Sequence, residues 1–285
     1  ADVDFMDFGW GNCVDPKAIA EKLAADKNHE IKAVYCQHNE TSTGVTNDIE
    51  AISKARGNHP ALLIVDSVSG LGAAKFRMDD WQVDVVLTGS QKAFMSPPGI
   101  DFVAVSDRAW PVCASCTNAR FYFDLNKARA SYKKGEMPFT PALSVLFAIQ
   151  EALRFIDEQG GIDAVIDEHY FRRDVIRAAA QALHLPLVAA EHCASPSVTS
   201  IMAPEGVDPK ALTGIMRDKY HCVIAGGQGK FKGHVFRIGH LGYVTDLQLI
   251  STISALEMAL AELGYEFTMG AGVTVAQKMI VERRK

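Results

Sequence analysis

The chain has 285 residues, 48% hydrophobic and 22% charged, with a formal net charge of −5, the balance of an ordinary globular protein with one large domain or two. No basic block exceeds Arg283-Arg284-Lys285, which argues against nucleic-acid binding. No apolar run is long enough to span a bilayer, and the first residues lack the basic, apolar and small-residue pattern of a signal peptide.

Residues 1–8 carry no initiator methionine and read as a strand already inside a domain. Residues 16–25 have helical spacing, with Asp15 as N-cap and Pro16 at the first position. A strand is expected over residues 31–37, followed by the polar loop 38–44. Residues 47–56 read as a helix closed by Gly57. The apolar stretch 61–65 is a strand, with Asp66 directly after it. Residues 76–82 are a connector. A further strand covers residues 83–87, apolar except for Asp84, and ends in Thr88-Gly-Ser-Gln-Lys92. After Pro97-Pro98-Gly99, residues 102–105 return beside it as in a hairpin. Strands alternating with helices predict a mostly parallel sheet, here mixed at one edge.

Pro111 makes residues 107–113 ambiguous, and residues 121–133 read as an amphipathic helix. Thr140 is the expected N-cap of a long helix over residues 142–158, with Pro141 at its first position. Gly160-Gly161 ends it, and residues 162–183 form another helix. The remainder alternates: 198–202, 209–220, 222–224, 234–238 and 245–263. These predict a large domain, residues 1–160, and a small α+β domain, residues 161–285.

Three strands thus deliver polar residues from their carboxyl ends, the edge where open α/β sheets bind ligands. A lysine held between a core strand and a rigid turn is restrained. Burial favours the neutral amine, a nucleophile able to form a Schiff base. Lys92 and, upstream, Asp66, both held at that edge, match the needs of pyridoxal 5′-phosphate: an amine for its aldehyde and a carboxylate to keep its ring nitrogen protonated. Taken alone, each has a bland alternative, a loop lysine and a turn-capping aspartate.

The segments His38-Asn-Glu-Thr-Ser-Thr-Gly-Val45, Val65-Asp-Ser-Val-Ser-Gly-Leu-Gly72 and Gly89-Ser-Gln-Lys-Ala93 resemble the fold-type I, class V aminotransferases. So do Pro97-Pro98-Gly99, Thr140-Pro141, Val235-Phe-Arg-Ile-Gly-His-Leu-Gly242 and Met269-Gly-Ala-Gly-Val-Thr274. The similarity is greatest to the alanine–glyoxylate, serine–glyoxylate and serine–pyruvate aminotransferases and runs in order along nearly the whole chain. It implies an α/β fold with a mostly parallel sheet between helices, a smaller C-terminal domain, and transamination of alanine or serine with glyoxylate or pyruvate.

Asp66 lies 26 residues before Lys92, as in the family. The resemblance assigns Lys92 to the imine and to proton transfer at the substrate Cα, and Asp66 to the ring nitrogen. Thr41 is assigned a place beside the ring and Gln91 to the phosphate. Thr140 would reach the phosphate of a neighbouring subunit, which implies a homodimer with shared sites. Arg237 is assigned to the substrate carboxylate, which a planar guanidinium pairs through two hydrogen bonds. Where many relatives carry a phosphate-binding tyrosine, this chain has Met137. Members of the family carry a further segment before the first residue here, with a glycine-rich phosphate turn and a ring that stacks on the cofactor; this chain is expected to begin inside the domain.

His38 and His240 have no partner at ligand spacing and are expected to be structural. The six cysteines are scattered, several in apolar surroundings, as reduced thiols in the cytoplasm would be. Cys113-Ala-Ser-Cys116 is a lone CxxC, and no metal site is expected. The loop Gly226–Gly233 lacks the following helix of a P-loop and reads as a flexible loop near the substrate entrance. Two alternatives stay open: a cysteine desulfurase or lyase of the same superfamily, or a cofactor-free subunit or inactive fragment. The first needs a reactive cysteine on a mobile loop, and Cys222 lies in an apolar run instead.

Overall fold

The computed structural model describes residues 2–285. Residues 2–15 contain no strand, contrary to expectation for residues 1–8: Val3 and Phe5 are exposed, and no neighbouring strand takes up their backbone groups. Helix α1 (Pro16–Ala25) begins as its sequence predicts, with the Asp15 carboxylate accepting the Lys17 N–H. Strand β1 (Ala33–Gln37) leads into the short hairpin of β2 (Asn39–Glu40) and β3 (Val45–Thr46). Helix α2 (Ile49–Arg56) crosses to β4 (Leu62–Asp66), and a turn-rich connection leads to β5 (Val85–Gly89) and β6 (Asp101–Val105).

These strands form one sheet in the order β1-β4-β5-β6, parallel except for β6. One face packs Leu63, Val65 and Val86 against Ile49 and Ile52 of α2. Asp84, the anomaly in its apolar run, precedes β5 and is buried against Arg56 and Arg108, 2.6 Å from each. Burial pushes its carboxyl up, but hydrogen bonds from Arg108 and the Leu63 N–H and both guanidinium charges hold it below the ordinary value.

Helices α3 (Trp110–Ser115) and α4 (Leu125–Tyr132) precede α5 (Leu143–Glu158) and α6 (Ile162–Ala182). Thr140 is not the N-cap of α5. The Pro141 carbonyl accepts the Leu143 N–H in a tight turn, which moves the cap to Ala142. Then come β7 (Val198–Met202), α7 (Pro209–Tyr220), β8 (Ala225–Gly226) and β9 (Val235–Gly239), with an antiparallel sheet in the order β7-β9-β8. The strand expected over residues 222–224 is absent, because the Cys222 N–H closes α7 by donating to the Met216 carbonyl. Helices α8 (Asp246–Glu262) and α9 (Ala271–Arg283) complete the chain. A second core joins Phe236 of β9, Leu212 and Met216 of α7, and Leu249, Ile253 and Leu256 of α8. Among the described residues no helix is long and apolar enough to cross a membrane.

Candidate active site

Gln37, Asp66 and Leu87 stand in register across β1, β4 and β5, so the three strands end at one edge. The Asp66 carbonyl accepts the His38 N–H at 2.7 Å, and the Leu87 carbonyl accepts the Ser67 N–H at 2.9 Å, carrying the pairing into the loops. The half-buried Asp66 carboxylate accepts the Val68 N–H at 3.0 Å in an Asx turn. Partial desolvation, and then the neighbouring Asp66 carboxylate, raise the largely exposed Tyr35 phenol above its ordinary value.

The loop after β5 is closed on itself. Ser90 donates through its hydroxyl to the Pro97 carbonyl at 2.7 Å and through its N–H to the Ile100 carbonyl at 3.0 Å. Within it the Lys92 carbonyl accepts the Met95 N–H at 2.9 Å, and Lys92 is half-buried. The loop also touches the turn after Asp66: a Cβ on Gly72, at φ +85°, would lie 3.0 Å from the Cβ of Ala93. Only glycine combines that left-handed backbone with so close an approach. Lys92 is thus carried by a loop seated against the one that follows Asp66.

Arg237, in the middle of β9, is 6% exposed. Its guanidinium donates to the Gly226 carbonyl at 2.8 Å and the Thr41 carbonyl at 2.9 Å, with Gln228 Oε1 at 3.4 Å. None of these acceptors is a carboxylate. Burial lowers its pKa below the ordinary value, and the charge of Glu40 opposes that. The Thr41 hydroxyl donates to Ser69 Oγ at 2.9 Å, and Ser69 donates to the Asn39 carbonyl at 3.1 Å. Arg237, Thr41 and the turn following Asp66 therefore form one hydrogen-bonded chain. Ser195 and Ser197, ahead of β7, lock it further: Ser195 donates to Asn39 Oδ1 and Ser197 to the Ser69 carbonyl.

Of the six residues singled out in the sequence, Lys92, Asp66, Thr41 and Arg237 are thus linked through adjoining loops. Gln91 is next to Lys92 but exposed, and its side chain lies over Gly89, where a Cβ would meet Oε1 at 2.7 Å. Thr140 is exposed in the segment before α5 and is not among these partners. Ser69 and Asn39, which hold the chain together, lie in segments that carry the family resemblance but were not singled out.

His38 and His240 are both buried and hydrogen-bonded. His38 Nδ1 meets Ser67 Oγ at 2.8 Å, and burial lowers its pKa to about 4. His240 meets Thr199 Oγ1 and the Pro196 carbonyl, with its pKa lowered by burial to about 3. His169 was not anticipated: its Nε2 accepts the Gly242 N–H at 2.9 Å, so Nδ1 carries the proton donated to the Val165 carbonyl. Cys222 is half-buried against the second core, its thiol 3.8 Å from Thr252 Oγ1, unlike a mobile reactive cysteine.

Two clefts open elsewhere. One, of about 510 Å³, lies between Met95, Arg172, Tyr243 and Asp246; the other, of about 700 Å³, is lined by Cys13, Asn47, Tyr170 and His192. Neither includes Lys92 or Asp66. On the strands of the main sheet Tyr35, Phe102 and Val103 are exposed.

The family model described as aminotransferase class-V matches residues 2–234. Among curated proteins, the chain is 43% identical to a Synechococcus sp. (strain PCC 6716) protein named soluble hydrogenase, small subunit, over 95% of this chain and 71% of that one. It is 39% identical to the serine–glyoxylate aminotransferase of Arabidopsis thaliana, over 96% of this chain and 69% of that one. Among solved structures, the pyridoxamine–pyruvate aminotransferase of Mesorhizobium loti aligns with a TM-score of 0.88 and 31% identity, over 96% of this chain and 70% of that one. An amine loop, a carboxylate turn and a buried guanidinium at one sheet edge agree with that similarity, and the chain belongs to the class V aminotransferases.

Proposed function

We propose that this protein is a pyridoxal 5′-phosphate-dependent aminotransferase that moves an amino group from alanine or serine to glyoxylate or pyruvate. The observation that carries this is Arg237: a buried guanidinium whose partners are carbonyls, tied through Thr41 to the turn after Asp66. A buried cation whose hydrogen-bond partners include no carboxylate is costly, and a substrate α-carboxylate supplies that partner. The Arabidopsis relative, a serine–glyoxylate aminotransferase, supports glyoxylate as acceptor, and the Mesorhizobium pyridoxamine–pyruvate aminotransferase supports pyruvate. The hydrogenase name of the Synechococcus relative finds no support in an amine, a carboxylate and a guanidinium.

The residues present fit the ring end of the cofactor: an amine on a closed loop, and a carboxylate held by the adjoining turn. The phosphate end is sparser, with Gln91 exposed beside Lys92. When bound, the cofactor supplies an aldehyde that condenses with amines and a protonated ring that withdraws electrons. Lys92 would hold that aldehyde and, once displaced by the incoming amino acid, move the proton at the substrate Cα. Asp66 would keep the ring nitrogen protonated, Thr41 would flank the ring, and Gln91 would donate to the phosphate. Arg237 would orient the substrate so that its Cα proton faces the Lys92 amine.

We also propose two domains meeting at Gly160-Gly161, and a homodimer in which Thr140 reaches the partner's phosphate. Phe121, Phe123, Tyr132, Leu143 and Phe147 are all exposed on the segment around Thr140, which supports an apolar contact there. Borohydride should discharge the yellow colour of the loaded protein and leave the label on Lys92. Alanine plus glyoxylate should yield pyruvate plus glycine without sulfide release. A colourless protein, or a label elsewhere, would refute the assignment. A catalytically active monomer in light scattering would refute the shared site.

A further inference from the structure

Cys13 lies just before α1, and His192 and Cys193 lie in the 3-10 turn Glu191–Cys193. Separated by 179 positions, Cys13 Sγ and His192 Nε2 face each other at 3.5 Å. With Cys193 Sγ they form a group whose ligand atoms all lie within 4.8 Å of one another. Thiols are weak hydrogen-bond partners, so this geometry gains little from neutral contacts alone. The 3.5 Å between Cys13 Sγ and His192 Nε2 matches a shared metal, and the 4.8 Å limit keeps Cys193 Sγ within reach of it. Zn–S of about 2.3 Å and Zn–N of about 2.0–2.1 Å at a tetrahedral angle put sulfur and nitrogen about 3.6 Å apart and the two sulfurs about 3.8 Å apart.

The backbone around the three is already fixed. The Val14 N–H donates to Asn47 Oδ1 at 2.8 Å, holding the Cys13 side. On the other side the Cys193 N–H donates to the Ala190 carbonyl at 3.2 Å and the Ser195 N–H to the Gly44 carbonyl at 2.9 Å. Arg177 pins Glu191 at 2.7 Å and the Ala189 carbonyl at 3.2 Å. Cys193 is buried against Val45 and Ala189, whereas His192 is exposed and lines the cleft of about 700 Å³ with Asp15 and Asp48. The ligands thus have a rigid back wall and a solvent-side path for an ion.

We propose that Cys13, His192 and Cys193 bind a thiophilic cation, zinc(II), through two sulfurs and one imidazole, with the fourth position open to water in the cleft. Binding forms two Zn–S bonds and one Zn–N bond, and each thiol gives up its proton, so two protons leave per ion. Nothing is oxidised or reduced. The ion ties the irregular segment before α1 to the turn ahead of β7.

The test uses the full-length holoenzyme, reduced with a phosphine under anaerobic conditions, stripped of metal, and titrated with zinc chloride against a chromophoric chelator. One zinc per chain is expected. X-ray absorption should show two sulfur and one nitrogen neighbours from the protein, near about 2.3 and 2.0 Å. Cys13→Ser, Cys193→Ser and His192→Ala should each weaken binding at least tenfold, while the double variant Cys113→Ser with Cys116→Ser binds as before. His192 is exposed, so His192→Ala tests the site without disturbing the core, and an unchanged circular dichroism spectrum verifies its fold. Zinc bound equally well by His192→Ala, a sulfur count other than two, or no zinc above the Cys13→Ser background would overturn the proposal.

Discussion

Arg237 lies under β8 and the 38–44 loop, held by two carbonyls from those separate segments. A lysine there keeps the charge but loses the fork, and with it at least one charge-assisted hydrogen bond to a carboxylate, about 1.5–3 kcal/mol. Arg237→Lys should therefore raise KM for both the amino acid and the oxo acid about tenfold to a hundredfold. Steady-state kinetics with each substrate varied checks this, and an unchanged KM would remove Arg237 from the binding role. At this scale the sequence was informative where chemistry is local. Asp66 closes an apolar strand, Lys92 lies in the short polar loop after another, and Arg237 interrupts a third. Ser69 and the Arg56–Asp84–Arg108 cluster were not legible, because their partners are brought together only by the sheet.

Helix α8 shows how an element's boundary is written locally. Thr245 accepts the Gln248 N–H at 3.3 Å, and Gln248 Oε1 accepts the Thr245 N–H at 2.8 Å, a complete capping box. Because α8 buries Leu249, Ile253 and Leu256 in the second core, its first turn is coupled to global stability. Thr245→Ala should cost about 1 kcal/mol, read as a lower urea midpoint with unchanged slope; no change would mean the turn is frayed. The strands of the main sheet were legible to within two residues, and α1, α7 and α8 nearly to the residue, because caps and apolar periodicity agree. Thr140 misled for a physical reason: the Pro141 carbonyl takes the Leu143 N–H, so the helix starts later than the Thr-Pro pair suggests. Helix α9, rich in Gly, Thr and Val at its start, has the weak local propensity that hides a helix held by packing on α6 and α8.

Across the whole molecule, three buried imidazoles set the response to acid. Burial lowers His38 and His169 to about 4 and His240 to about 3. In the unfolded chain each titrates near about 6.5. Between those values the unfolded chain takes up protons that the folded chain refuses. Stability is therefore complete above about pH 6.5 and is lost as pH falls toward 4, by at most about 1.4 kcal/mol per pH unit for each ring. The urea midpoint should fall between pH 7.5 and pH 5, and His38→Gln should flatten that slope; a level profile would show the rings charged inside the fold. The parallel order of the main sheet was legible in the strand–helix alternation. The contacts of Ser195 and Ser197 with the loops after β1 and β4 were not, since they join serines to distant loops. Those contacts have a dynamic consequence. Ser195 on Asn39, Ser197 on Ser69 and Arg237 on Thr41 are buried or partly buried stitches that join the loops of the main sheet to β9 and the turn ahead of β7. Swinging the sheets apart would strand all three at once, so product release should rely on small loop displacements rather than a hinge. Small-angle scattering profiles recorded with and without saturating amino acid should superimpose.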